Sequence, residues 1–327
     1  MILVLVETDP QGVTLTSREA LTFARTMGER MGDPQLEAVA VGPLPDTAAV
    51  LAHLGEQGVT TLHHADDERL AAYGAAAWAA AVVDVASSGA ARLVVGSGTP
   101  RGMEVLAHVA TRLDCLMAAN VIALEDTDPL TVSRQVMGGG VFERMRLDGE
   151  VAVVAVAGHA VDPVPAAESR TTDVRTYEPA LTDADLLTRV VRTEKAAGED
   201  TSALTGAKVV VGAGRGAGSA DGFTDLLELK DLLGGALGVS RVVTSLGWRP
   251  HHEQVGQTGS RISPDLYVAC GISGAIQHWA GCQSAKTILA INTDPDAPMV
   301  TQAHYAVIGD LHEVVPAINE ELRRRRG

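Results

Sequence analysis

Through its first 113 residues the chain alternates short apolar runs with longer stretches of helical period, a rhythm that few folds can accommodate. Residues 2–6, 36–41, 59–62 and 92–95 are apolar runs of strand length. Between and after them, Ser17 is placed to cap a helix over 17–31 that Gly32 stops, and Asp46 opens a short helix ended by Gly55. Residues 69–86 form an alanine-rich helix and 99–113 another. Parallel strands cannot be joined by tight turns, so four strands separated by helices imply a parallel sheet covered on both faces. From residue 121 the rhythm changes: 121–124, 131–136, 141–147 and 151–156 read as strands with no helix between them, which suits an antiparallel extension.

A stretch rich in charge, Thr and Gly over 178–206 separates this half from a second series, with strands expected at 208–211, 241–244, 265–270, 287–291 and 305–308. Helices are expected at 221–237 and 310–322. The expected fold class is therefore α/β with two domains. Residues 1–190 form a parallel-sheet domain with an antiparallel extension, 191–206 a connector, and 207–327 a doubly wound domain.

Hydrophobic residues make up 46% of the chain but aromatics only 3%, so the cores must be built from Ala, Val, Leu and Gly. A formal charge of −15 repels a phosphate backbone and argues against nucleic acid as a partner. Cys115, Cys270 and Cys282 make no Cys-x-x-Cys pair, which reads as free thiols in a reducing compartment, the cytoplasm. The apolar amino terminus has no basic segment before it and reads as a strand. The longest apolar stretch, 70–83, falls short of the ~20 residues that span a bilayer, so no membrane insertion is expected.

Three glycine-bearing loops follow apolar strands in the second half. The run 212–218 alternates glycine with Ala213, Arg215 and Ala217, letting backbone approach a phosphate at a helix start. The loop 254–259 holds Gln254, Val255, Gly256, Gln257, Thr258 and Gly259. The third runs from Cys270 through Gly271, Ile272, Ser273, Gly274, Ala275, Ile276 and Gln277 to His278. A nicotinamide site would read the first loop as G-x-G-x-x-A but also wants an acid ending the second strand, where 241–245 carries none. A serine hydrolase would use Ser273 as nucleophile with Asp294 or Asp296 and His304 or His312, leaving the other two loops without a role. Loops at strand ends in one domain suit an extended ligand with a pyrophosphate better than a single catalytic dyad.

Residues 211–310 resemble the FAD domain of the electron transfer flavoprotein α subunit. The resemblance is carried by 214–216, Ser240-Arg241, the loop 254–259, the segment 271–278, Ile291-Asn292 with Asp294-Pro295 and Ala297-Pro298, and Asp310-Leu311 before 314–316. It implies FAD as cofactor and a heterodimer with a β subunit. It also implies dehydrogenase donors such as acyl-CoA dehydrogenases and a membrane quinone oxidoreductase as acceptor, a redox carrier without substrate turnover. By that similarity Arg215, Ser273, Gly274, Ala275 and Gln277 hold the pyrophosphate and ribityl chain, Asn292 and Asp310 hold the adenosine end, and Val255, Gly256, Gln257, Ile276 and Leu311 count among the cofactor-binding residues. The same similarity has Thr258 hydrogen-bond flavin N5. His278 faces N1 and the C2 carbonyl, and Arg241 lies against the isoalloxazine with Ser240 beside it. Arg241 and His278 would then be two positive neighbours of the reduced ring. The pattern departs from the family at Ser245, where many relatives carry an aspartate, and at the three glycines 138–140.

Overall fold

Alternate residues of a strand point to opposite faces of its sheet, and here both faces of the central strands are apolar, so helices must cover both. The computed structural model describes residues 1–137, 141–158, 160–193 and 202–326. It forms two units, Met1–Thr193 and Glu194–Gly327. The glycines at 138–140 and residues 194–201 of the expected connector lie outside the described residues.

The first unit begins with β1 (Ile2–Leu5), a small hairpin of β2 (Thr8–Asp9) and β3 (Gly12–Val13), and α1 (Leu15–Met31). It continues through β4 (Leu36–Val41), α2 (Thr47–Glu56), β5 (Thr61–Ala65), α3 (Ala75–Ser88), β6 (Leu93–Ser97) and α4 (Pro100–Arg112). It ends with β7 (Met117–Thr127), β8 (Leu130–Val136), β9 (Val141–Arg146), β10 (Ala152–Val156) and β11 (Asp173–Tyr177). The nine-stranded sheet has the order β11-β5-β4-β1-β6-β10-β7-β8-β9, parallel except for β7-β8-β9. Ile2 and Val4 enter one core with α1 and α2, while Leu3 and Leu5 enter the other with α3 and α4.

The second unit runs α5 (Ser202–Thr205), β12 (Val209–Ala213), α6 (Thr224–Leu233), β13 (Ala236–Val239), α7 (Arg241–Ser245) and β14 (Leu266–Cys270). Then follow α8 (Ile276–Cys282), β15 (Thr287–Asn292), α9 (Pro298–Gln302), β16 (Tyr305–Ile308) and α10 (Leu311–Arg326). Its five strands are all parallel, in the order β13-β12-β14-β15-β16. Val211 packs with α6 and α10 on one face, and Val210 with Cys282 of α8 and Met299 of α9 on the other, so the sheet is doubly wound.

Several elements differ from their sequence reading. Residues 241–244 are not a strand: the β-branched pair Val242-Val243 sits in the helix α7, with Ser240 as its N-cap residue. The strand lies earlier because Gly234, at φ 63°, ends α6 and frees residues 236–239 to pair with β12. The alanine-rich helix starts at Ala75 rather than 69, because a short 3₁₀ turn (Glu68–Leu70) precedes it and Gly74 lies extended. Residues 151–156 do not belong to the antiparallel run: β10 returns parallel between β6 and β7. The hairpin β2–β3 and the edge strand β11 are additions.

Thr14, not Ser17, caps α1. Ser17 is fully buried: its Oγ accepts the Glu7 N–H at 2.9 Å and lies 3.1 Å from Ser97 Oγ. Glu7 in turn accepts the Thr99 hydroxyl at the start of α4, so one polar knot joins β1, α1, β6 and α4. Burial pushes the Glu7 carboxyl above its ordinary 4.5, against the Thr99 hydrogen bond and Arg101. Between 4.5 and that raised value the folded state keeps a proton the unfolded chain has released, so stability falls as pH rises through the window. Glu7→Gln keeps an acceptor for Thr99 and cannot ionise. Urea unfolding should show a higher midpoint at neutral pH and a flatter pH dependence above 4.5 than the unsubstituted protein.

Candidate functional site

β13 flanks β12 on one side and β14 on the other, so the connections leaving their carboxyl ends diverge and open a crevice. A cavity of about 940 Å³ lies there, at the upper end of the range for small-molecule sites. Every strand of the sheet sends a loop into its wall. Arg215 follows β12, Ser240 and Arg241 follow β13, Ser273 and His278 follow β14, Asn292 ends β15, and Asp310 follows β16. Gly274, Ala275, Gln277 and Leu311 complete the set of sequence-expected residues that line it.

Glycine is required where two of these loops touch. A Cβ on Gly214 or Gly216 would collide with the backbone of Gly271, and a Cβ on Gly274 would collide with the backbone of Met299. Gly271 and Gly274 also sit at φ 61° and 82°, a region that side chains disfavour. The loops after β12 and β14 therefore meet backbone to backbone.

Two guanidinium groups, Arg215 and Arg241, reach this wall exposed and without an ion pair or side-chain hydrogen bond among the described residues. A guanidinium presents positive charge and five N–H donors in a planar fork. Asn292 braces the wall: its Nδ2 donates to the Ile272 carbonyl at 3.0 Å and its Oδ1 accepts the Asp294 N–H at 3.1 Å. Asp310 begins α10, accepting the His312 N–H on Oδ1 at 2.9 Å. Among the described residues Ser240 Oγ and His278 Nδ1 are buried and make no direct hydrogen bond, although the Val255 backbone stands near enough to the His278 ring to favour its charged form. Orphaned polar atoms at a cavity wall, free cations and loops stripped of side chains suit a group that brings its own polar atoms and negative charge.

His278 is 6% exposed, with Nε2 2.8 Å from the Tyr267 hydroxyl. Burial lowers its pKa to about 4, with the Val255 backbone pulling weakly upward. The expectation of two positive neighbours is thereby corrected: at neutral pH the imidazole is uncharged, and Arg241 alone of the pair carries a charge.

Five expected residues lie outside the cavity wall. Val255 is buried and donates its N–H to the Val239 carbonyl, spending itself on the core. Gly256, at φ 138°, lets the loop press on α8, where a Cβ would stand 2.8 Å from the Gln277 carbonyl oxygen. Gln257 donates its N–H to that same carbonyl at 2.8 Å. Thr258 accepts from Gln254 Nε2 at 3.0 Å, and Ile276 is exposed at the start of α8. Gln254 also accepts the Thr244 hydroxyl at 2.7 Å, so it ties the Thr258 loop to the helix carrying Arg241. Neither Gln254 nor Tyr267 was among the residues expected from sequence to serve the site. Their partners are 4, 10 and 11 residues away, and only the polar character of Gln254 in its loop could have pointed to it.

Among the described residues Ser273 makes no side-chain hydrogen bond, and the His304 ring accepts the Ile288 N–H near the opposite end of β15, so no Ser–His dyad is assembled between them. No cluster among the described residues could hold a metal. None of their helices is long and apolar enough to cross a membrane.

Comparison with known proteins agrees with this geometry. Residues 203–283 match the electron transfer flavoprotein FAD-binding domain and residues 2–182 the electron transfer flavoprotein domain. The chain is 34% identical to an electron transfer flavoprotein subunit alpha of Mycobacterium leprae, over 99% of both chains. It is 36% identical to that of Mycobacterium tuberculosis, over 100% of this chain and 99% of the relative. The corresponding subunit of Bacillus subtilis is 33% identical over 94% and 92%.

The depressed pKa of His278 makes stability depend on pH. Between about 4 and the ordinary 6.5 the unfolded chain binds a proton that the folded one refuses, so stability is full above 6.5 and is lost as pH falls toward 4. Across the whole window the loss is on the order of 3 kcal/mol. Urea midpoints of cofactor-stripped protein between pH 7 and 5 should fall, and His278→Gln should flatten that fall.

Proposed function

The chain belongs to the electron transfer flavoprotein α-subunit family, and from that premise we propose which residues of its FAD-binding domain hold the cofactor and whom the carrier serves. The family is one of FAD-binding electron carriers, not of enzymes with substrate turnover of their own. The observation that carries the residue assignment is the convergence of loops from all five strands, two of them bearing unpaired arginines, on one cavity.

Bound there, FAD supplies an isoalloxazine that takes up and releases electrons. Arg215, with Ser273, Gly274, Ala275 and Gln277, holds the pyrophosphate and ribityl region. Asn292, Asp310 and Leu311 hold the adenosine end. Arg241, Ser240 and His278 stand at the isoalloxazine, with the loop of Val255, Gly256, Gln257 and Thr258 closing beside them. The guanidinium of Arg241 stabilises negative charge on the reduced ring and so raises its potential. His278 contributes as a neutral hydrogen-bonding group. Residues 207–327 form the flavin domain, and 1–190 serve as scaffold and as the contact for a β subunit in a heterodimer. The carrier accepts electrons from flavin dehydrogenases such as acyl-CoA dehydrogenases and passes them toward a membrane quinone oxidoreductase. The unpaired thiols Cys115, Cys270 and Cys282 suit a reducing cytoplasm.

Co-expression with a β-like reading frame, followed by sizing and an absorption spectrum, tests the reading. A yellow complex of the two chains supports it, whereas NADH turnover or fluorophosphonate labelling of Ser273 would favour a nicotinamide-dependent oxidoreductase subunit or a serine hydrolase. Arg241→Ala should lower the flavin midpoint potential while leaving FAD content measurable. A lost charge-assisted interaction of about 1.5–3 kcal/mol corresponds to roughly 65–130 mV for one electron. An unchanged potential refutes the role. Asp310→Ala should lose more FAD through gel filtration than it shifts the potential, with about 1 kcal/mol of stability lost from the uncapped α10.

A further inference from the structure

Both ring nitrogens of His278 are buried; among the described residues only Nε2 makes a side-chain hydrogen bond, while Nδ1 makes no direct one and the Val255 backbone stands close to the ring. Nε2 lies 2.8 Å from the hydroxyl of Tyr267, with the rings 6.2 Å apart between centroids and 28° from parallel. Tyr267 itself has no exposed surface and makes no other side-chain hydrogen bond among the described residues. Its hydroxyl reaches this position because the neighbouring strand β12 carries Gly212 there, where any Cβ would collide with the phenol oxygen. Burial keeps the phenol protonated. A buried hydroxyl must spend its proton on an acceptor, and Nε2 is the acceptor within reach. Nε2 then bears no proton, so the neutral imidazole carries it on Nδ1. The reverse arrangement, with Nε2–H donating to the phenol oxygen, would strand two buried polar groups, the phenol proton and a bare Nδ1, in place of one.

We propose that Tyr267 is a positioning residue for the flavin: its hydroxyl donates to Nε2 of His278 and fixes the imidazole as the tautomer that carries its proton on Nδ1. The inference rests on the FAD reading of the cavity. A fixed N–H dipole at the wall favours negative charge developing beside it without a proton having to arrive first. Tyr267 does not line the cavity and acts only through the ring it orients.

The test uses the FAD-loaded protein labelled with ¹⁵N-histidine and long-range ¹H–¹⁵N spectra, with His278→Gln identifying the ring's signals by their absence. Nε2 should appear as a bare acceptor and Nδ1 as protonated. Tyr267→Phe keeps the ring and loses the hydroxyl. The proton should shift from Nδ1 toward Nε2, and the flavin midpoint potential should fall with FAD retained. A ring already protonated on Nε2 in the unsubstituted protein, or a ring unaltered by Tyr267→Phe, overturns the proposal. Protein that retains no flavin at all overturns the FAD reading instead. The ring spectrum of that FAD-free protein still decides the tautomer, as does the unsubstituted spectrum alone if the variant does not fold.

Discussion

The winding of a parallel sheet reverses once in the second unit, between β12 and β14, and that reversal is the constraint on which the site depends. On one side the chain moves from β12 to β13 and on the other from β14 outward to β16, so the loops at the carboxyl ends part and cannot fill the gap themselves. Whatever chemistry the unit performs is then carried by loops held at fixed heights by strands buried on both faces. The first unit reverses in the same way between β1 and β6, where Glu7, Ser17, Ser97 and Thr99 are hydrogen-bonded to one another.

Charge at the open crossing is supplied sparingly. A chain with a formal charge of −15 brings Arg215 and Arg241 to the cavity unpaired among the described residues, while other arginines pair with acids away from it, as Arg249 does with Glu253 and Arg324 and Arg325 with Glu321. An unpaired guanidinium offers all its donors to an incoming anion and need not break an ion pair to do so. His278 is polar but uncharged there, because desolvation outweighs its one favourable backbone contact.

The parallel sheets and the order of strand, loop and helix were legible because hydrophobic period and glycine placement are local signals. The helix α7 was not: Val242, Val243 and Thr244 favour strand by their branching, and only Gly234, together with pairing of β13 on β12, shows that the strand lies earlier. Most of the expected site residues do meet at one cavity, since each sits within a few residues of a strand end. Thr258 and its neighbours do not, because Gln254 and the carbonyl of Gln277 hold that loop against α8. The charge of His278 was misread for a similar reason. A histidine near a cofactor reads as a cation until burial is known, and its partner Tyr267 belongs to a strand that looks from sequence like plain core.

Where Gly214 and Gly216 lie against Gly271, the site is lined by peptide planes and not by side chains. Such a surface has no rotamers to reshuffle and little freedom to breathe, since neither turn can shift without pushing the other. Dipoles locked in this way respond to an arriving electron mainly by polarising in place. For a protein whose task is to gain and give up charge repeatedly, stiffness of the backbone is itself an economy, keeping the surroundings nearly the same before and after each transfer.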